Sequence, residues 1–179
     1  MGDPAPVRDN LASLLEAVGD AVSGLDPQRR ALVHGDRHRT WREFDDRASR
    51  LAGYLAEAGT GPGDRVGIGL YNSPEYLESL LAVLKLRAVP VNVNYRYREA
   101  ELEQVLELAD VRALVVDATL AAKVGAVAQR SPRLRSVLLA DGEAAGAPPQ
   151  GWSQDTSGRC PARHPCRDRS AHPTTRSSC

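Results

Sequence analysis

Few residues in this 179-residue chain have types and spacings suited to chemistry, and each has a competing structural use. Cys160, His164 and Cys166 suggest a metal site, but their spacing matches no standard zinc pattern and no fourth ligand is evident. Gly67-Ile68-Gly69 hints at a dinucleotide fingerprint. Those glycines fall inside a predicted strand rather than in the turn after it, and Asn72 stands where a third Gly belongs, so close helix-on-sheet packing is the better reading. His34 and His38 flank a turn with no carboxylate or nucleophile motif beside them. Glu99, Glu101, Glu103 and Glu107 read as one solvated helix face. Arg87, Arg96 and Arg98 gather near the ends of a predicted strand and could hold an anion, although pairing with nearby Glu competes. Tyr71, Asn72 and Tyr76 fall at the carboxyl end of a predicted parallel strand, where ligands bind in such sheets. No residue earns assignment as catalytic, cofactor-binding or metal-ligating.

The elements that position these residues centre on Gly63–Tyr97. Arg65–Tyr71 reads as a strand. Ser73 is placed to cap a helix, Pro74 suits its first position, and Glu75 favours its positive end. Leu77, Leu80, Leu81 and Leu84 follow at helical spacing and predict a stripe packed on a sheet. Ala88–Val93 is a second strand, which Pro90 assigns to a sheet edge or to a strand start. Together they form a βαβ unit with a right-handed crossover. Upstream, Asn10 opens a helix with Leu11, Leu14, Leu15 and Val18 on one face. Ala31–His34 and a strand near Arg39-Thr40 flank a Gly35-Asp36 turn. Thr40 and Glu43 form a capping box, and the helix behind it presents Phe44, Ala48, Leu51, Ala52 and Leu55 before stopping at Gly59. Downstream come a helix over Glu99–Leu108, the apolar strand Ala113–Asp117, a helix over Thr119–Gln129 and a strand at Ser136–Ala140. This order predicts an α/β fold: a doubly wound, mostly parallel sheet over residues 1–140.

Acidic and basic residues balance at 23 each, which leaves no basic excess for nucleic-acid phosphates. No apolar run approaches the roughly 20 residues of a membrane span, and the N-terminus is not a secretory signal, so the cytoplasm is the default location. The residues do not disclose an oligomeric state.

The segment GDRVGIGLYNSPEYLESLLAVLKLRAVPVNVNYRYREAELEQVLELAD resembles the N-terminal region of AMP-forming acyl-CoA synthetases of the adenylate-forming superfamily. Residues Leu86–Tyr97 look most like the branch that activates fatty acids and sterol side chains; most relatives outside it carry Gly at the position of Arg87. The resemblance covers roughly residues 8–140. It implies the first subdomain of a larger adenylating domain, with ATP, Mg²⁺ and coenzyme A as the full-length family's cofactors and a small carboxylic acid as its substrate. The family's phosphate loop is absent from this chain. Thr156-Ser157-Gly158 matches three letters of it, but Arg159-Cys160-Pro161 follows. No cofactor is therefore expected on this chain alone, and the chain alone is expected to be inactive. The alternative is a small non-enzymatic α/β binding module with a disordered arm.

After Leu139 the chain holds no Val, Ile, Leu, Met, Phe or Tyr. Such a segment cannot offset the entropy of ordering itself, so residues 141–179 are expected to be a disordered tail. The chain's 23 basic residues include only two lysines, Lys85 and Lys123, which suggests a GC-rich gene. Read in a shifted frame, the codons for His172–Cys179 permit Pro-Asp-Asp-Pro-Phe-Val-Leu, and family members carry a similar segment just before the phosphate loop. A frameshifted tail is therefore preferred over a natural linker.

Overall fold

The computed structural model describes residues 10–140 and 152–154. The expectations for Thr156-Ser157-Gly158, Cys160, His164 and Cys166 lie outside the described residues, as does most of the expected tail.

Helix α1 (Leu11–Leu25) starts at Asn10, whose side chain accepts from the Ser13 N–H at 3.0 Å and donates to the Leu84 carbonyl at 2.9 Å. One side chain thus caps α1 and ties it to the end of a later helix. A hairpin follows, β1 (Arg30–His34) and β2 (Arg37–Thr40), turned by Gly35 at φ 58°. Helix α2 (Trp41–Glu57) opens with the expected capping box: Thr40 N–H to Glu43 Oε2 at 2.8 Å and Glu43 N–H to Thr40 Oγ1 at 3.3 Å. All five expected inward residues of α2 are buried, and Gly59 takes the left-handed stop at φ 86°.

The main sheet contains β3 (Arg65–Gly69), β4 (Val89–Asn92), β5 (Val111–Asp117), β6 (Ser136–Ala140) and β7 (Trp152–Gln154), in the order β4-β3-β5-β6-β7. The first four run parallel. Between them come α3 (Pro74–Lys85), α4 (Glu99–Leu108), a 3-10 turn (Ala118–Leu120) and α5 (Ala121–Ala128). Side chains alternate across the strands, as the two-residue period requires. Val66, Ile68, Ala113, Val115 and Leu138 meet Leu51 and Leu55 of α2 and Ala82 and Val83 of α3. Leu114, Val116 and Val137 meet Leu102 and Leu106 of α4 and Val124 and Val127 of α5. Both faces are covered, which explains the unbroken apolar run of β5.

β4 is the edge strand, as Pro90 foretold. Val89 and Val93 donate toward the β3 side, to Asp64 and Ile68, so alternation turns the nitrogen of Pro90 away from the ladder, where no bond is lost. At the other edge, Trp152–Gln154 pair antiparallel with β6. These three residues depart from the expectation of an unstructured tail. A strand edge offers unpaired backbone groups that a short extended segment can satisfy.

Three further details differ from expectation. Ser73 is extended at the N-cap of α3 but makes no side-chain cap bond; its hydroxyl hydrogen-bonds the Glu75 carboxylate instead. Leu81 and Leu84 pack in a layer with Ala12, Leu15, Phe44 and Ala48 of α1 and α2 rather than on the sheet, while Leu77 is exposed. In α1, Ala12 is buried and Leu15 is half-buried, but Leu11, Leu14 and Val18 face outward. The cause is small-residue packing: a Cβ on Gly19 would lie 3.3 Å from the Trp41 ring, so α1 approaches α2 through Ala12 and Gly19.

Candidate functional site

β3 leads into α3 on one face of the sheet, whereas β5 leads into α5 on the other. Their connections diverge to opposite sides, so the carboxyl ends of β3 and β5 form the switch point at which open α/β sheets bind ligands. Tyr71 and Asn72 follow β3 there, both exposed. The Tyr71 ring lies against Tyr95 of the loop after β4, centroids 4.6 Å apart and planes tilted by 49°. The Arg96 guanidinium stands 5.6 Å from the centroid of the Tyr95 ring. Lys123 holds this loop from below, donating to the carbonyls of Tyr95 at 3.0 Å and Tyr97 at 2.8 Å. Asp117 is engaged in starting the turn after β5, accepting from the N–H of Thr119 at 2.9 Å and from its hydroxyl at 2.6 Å. Tyr76 is not part of this rim; it packs half-buried against the sheet core.

These groups present a flat aromatic surface, a cation and an amide. They contain neither a nucleophile–base pair nor two facing carboxylates, so the rim is suited to binding rather than to moving protons. Gly67 and Gly69 do not cradle a ligand either. A Cβ on Gly67 would stand 2.6 Å from Leu114 Cδ1, and one on Gly69 3.0 Å from Val116 Cγ1. Their smallness admits neighbouring side chains of the sheet itself, which refines the expected helix-on-sheet use.

Arg87, Arg96 and Arg98 do not cluster. Arg87 precedes β4, whereas Arg96 and Arg98 follow it, so a whole strand separates them. Arg130 reaches across to two members of the acidic face of α4, Glu99 at 3.3 Å and Glu103 at 3.2 Å. His34 and His38 are exposed on the hairpin.

The densest electrostatic feature lies elsewhere and was missed from the sequence. Glu75 and Glu78, one turn apart on α3, are buried beneath the hairpin. Arg37 grips Glu75 with both guanidinium nitrogens, at 2.9 and 3.3 Å. Arg47 of α2 donates to Glu78 Oε1 at 2.7 Å, and Arg39 Nε lies 3.7 Å from the same oxygen. Burial would raise the Glu75 carboxyl, but its own backbone N–H, Arg37 and Ser73 outweigh burial and hold it below the usual range. Burial pushes the Glu78 carboxyl up, and Arg47 offsets this only in part. Glu78 Oε2, buried without a hydrogen-bond partner among the described residues, fits that direction. A second knot forms where Lys85 contacts Glu16 and, at 2.8 Å, Asp45, joining α3 to α1 and α2. Burial opposes the Lys85 charge, but both carboxylates reverse that and raise its pKa. The signal for these networks was a charge at an inward helical position: Glu78 lies between Leu77 and Leu81 and one turn from Glu75.

Among the described residues no group of three or more His, Cys, Asp or Glu could hold a metal ion. Among the described residues no helix is long and apolar enough to cross a membrane. The described part of the site therefore does not fit Mg²⁺ or a nucleotide triphosphate, which would require convergent donors or carboxylates.

The sequence profile of the AMP-binding enzyme family matches residues 21–175. A 3-oxocholest-4-en-26-oate–CoA ligase of Rhodococcus rhodochrous is 39% identical over 132 residues, which are 74% of this chain and 23% of that protein. A medium/long-chain-fatty-acid–CoA/3-oxocholest-4-en-26-oate–CoA ligase of Mycobacterium marinum is 36% identical over 130 residues, which are 73% of this chain and 23% of the relative. Among solved structures, MbtA of Mycobacterium smegmatis superposes with a TM-score of 0.63 at 35% identity, covering 77% of this chain and 25% of that one. The anthranilate CoA ligase AuaEII shares the fold at a TM-score of 0.67 and 24% identity, over 75% of this chain and 25% of its own. The chain spans about a quarter of the length of the curated relatives it matches. With this sheet order and this extent of similarity, the chain belongs to the AMP-binding enzyme family.

Proposed function

We propose that this chain supplies the scaffold subdomain of a ligase that activates a fatty or sterol-derived carboxylic acid. The whole enzyme would join the acid to ATP, release pyrophosphate, and transfer the acyl group from AMP to the thiol of coenzyme A. The observation that carries this reading is the 39% identity, over 132 residues, to a ligase for 3-oxocholest-4-en-26-oate. In the complete enzyme Mg²⁺ and the phosphate loop would balance charge as the carboxylate attacks the α-phosphate. The four parallel strands within residues 30–140 would be the sheet on which that loop sits, and the composition of residues 141–179 supports reading them as the product of an altered reading frame. The cytoplasm is the proposed location.

Two measurements test this. The purified chain is expected to give no pyrophosphate exchange with any fatty or sterol acid, since loss of even one preorganised donor costs about 10²–10³ in rate. Acyl-adenylate formation by the 179 residues alone would overturn it. Sequencing of the gene beyond codon 179 is expected to show a phosphate loop recoverable by one nucleotide change upstream of Gly151. Unrelated sequence there would favour a binding module instead.

A further inference from the structure

The outward face of α1 carries an apolar seam that nothing described covers. Leu11 is 52% exposed, Leu14 61%, Val18 39% and Leu25 90%, and Ala17 and Ala21 beside them are also exposed. The steps from Leu11 to Leu14, Val18, Ala21 and Leu25 are three, four, three and four residues, the spacing of a two-helix seam rather than of scattered surface residues.

We propose that this seam is the contact surface between two copies of the chain, with the α1 helices antiparallel across a two-fold axis. Three observations favour a second copy in that orientation. The positions flanking the seam are Ala17 and Gly24 on one side and Leu15 and Val22 on the other, so no like charges oppose one another when the same face meets itself. The first turn of α1 has no acidic residue and its last turn no basic one, so neither end of the helix dipole is compensated from within. Antiparallel packing sets each positive end beside the partner's negative end and beside Asp26, whereas parallel packing sets like ends together. The seam is also long enough: fifteen helical residues span about 22 Å, and two such faces with their flanks bury on the order of 1,000 Å², the low end for a specific interface. An interface of that size belongs with the weak, reversible associations.

We place the two-fold axis at Val18, the middle of the seam: Val18 then faces Val18 of the other copy, Leu14 lies opposite the Ala21–Val22 step, and Leu11 faces Leu25. Sedimentation equilibrium of the full 179-residue chain, in reductant, is expected to show a monomer–dimer equilibrium. Leu14→Glu should raise the dissociation constant at least about tenfold, while circular dichroism stays unchanged because Leu14 supports no core. Leu108→Glu, at a still more exposed leucine on α4, should leave the equilibrium intact. In a background with Cys160, Cys166 and Cys179 changed to Ser, Val18→Cys should form a disulfide with itself on oxidation and Leu11→Cys should not. A chain that stays monomeric at high micromolar concentration, or a dimer indifferent to Leu14→Glu, overturns the proposal. Self-cross-linking of Leu11→Cys in place of Val18→Cys overturns the antiparallel arrangement.

Discussion

Arg87 stands at φ 56°, just past the Leu86 C-cap of α3, in a conformation that costs a side chain with a Cβ roughly 1–2 kcal/mol. Glycine escapes that cost at the price of greater freedom in the unfolded chain. Arg87→Gly is expected to gain up to about 1 kcal/mol in urea denaturation. A loss would show that the Arg87 side chain outweighs its strained backbone. The buried carboxylates give a sharper test, because their signs differ. Glu75 is held below its ordinary pKa in the folded state, so its stabilisation is complete above the unfolded value and fades as pH falls through the lowered one. Glu78 is raised, so the folded state takes up its proton more readily, and its contribution improves as pH falls through the raised value. Glu75→Gln should therefore cost about 1–3 kcal/mol near neutral pH, with the deficit shrinking in acid. Glu78→Gln should cost most on the acid side, where it forgoes that gain. Denaturation curves collected across the carboxylate range check both; parallel profiles for the two variants would contradict the assignment. Arg47→Ala leaves Glu78 buried without its nearest cation and should cost about 3–5 kcal/mol.

At the scale of elements, α3 is the keystone because it is packed on two sides. Ala82 and Val83 serve the sheet, while Leu81 serves α1 and α2. Leu81→Ala is expected to cost about 2–5 kcal/mol, through a cavity in the helix layer rather than under the sheet. Amide exchange should then quicken in α1 and α2 before it quickens in β3. Within β3, Gly67→Ala drives a methyl group into the fully buried Leu114 and should cost about 1–3 kcal/mol, whereas Gly53→Ala, with open space around it, should be neutral or better. The same view explains the hairpin. β1 and β2 form a separate two-stranded sheet, an arrangement marginal on its own, and the Arg37–Glu75 and Arg39–Glu78 pairs fasten it to α3.

For the whole molecule, the three apolar clusters close with residues no later than Ala140. A chain shortened after Gln154 is accordingly expected to melt within about 2 °C of the full chain, since it loses none of the core described. A markedly lower transition would mean that residues beyond Gln154 contribute to the fold.

What the amino-acid sequence determined by itself was local and periodic. The Thr40–Glu43 box, the Gly59 stop, the apolar β5, the edge placement of Pro90 and the α/β order all follow from rules that act within a few residues, and the structure bears them out. The family was legible for a related reason: Gly63–Tyr97 packs a strand, helix and strand whose residue types are tightly constrained. Tertiary structure decided the rest. Helical spacing showed that α1 and α3 were amphipathic, but not which neighbour each stripe would meet. Small residues at Ala12 and Gly19 let α1 approach Trp41 closely, and that contact turned Leu11, Leu14 and Val18 outward. The pairing of Glu75 and Glu78 with Arg37, Arg39 and Arg47 spans sequence separations of about 30 to 40 residues, which no periodicity encodes. Only the folding of the hairpin over α3 brings those charges together, and only their mutual neutralisation permits two carboxylates to lie buried there.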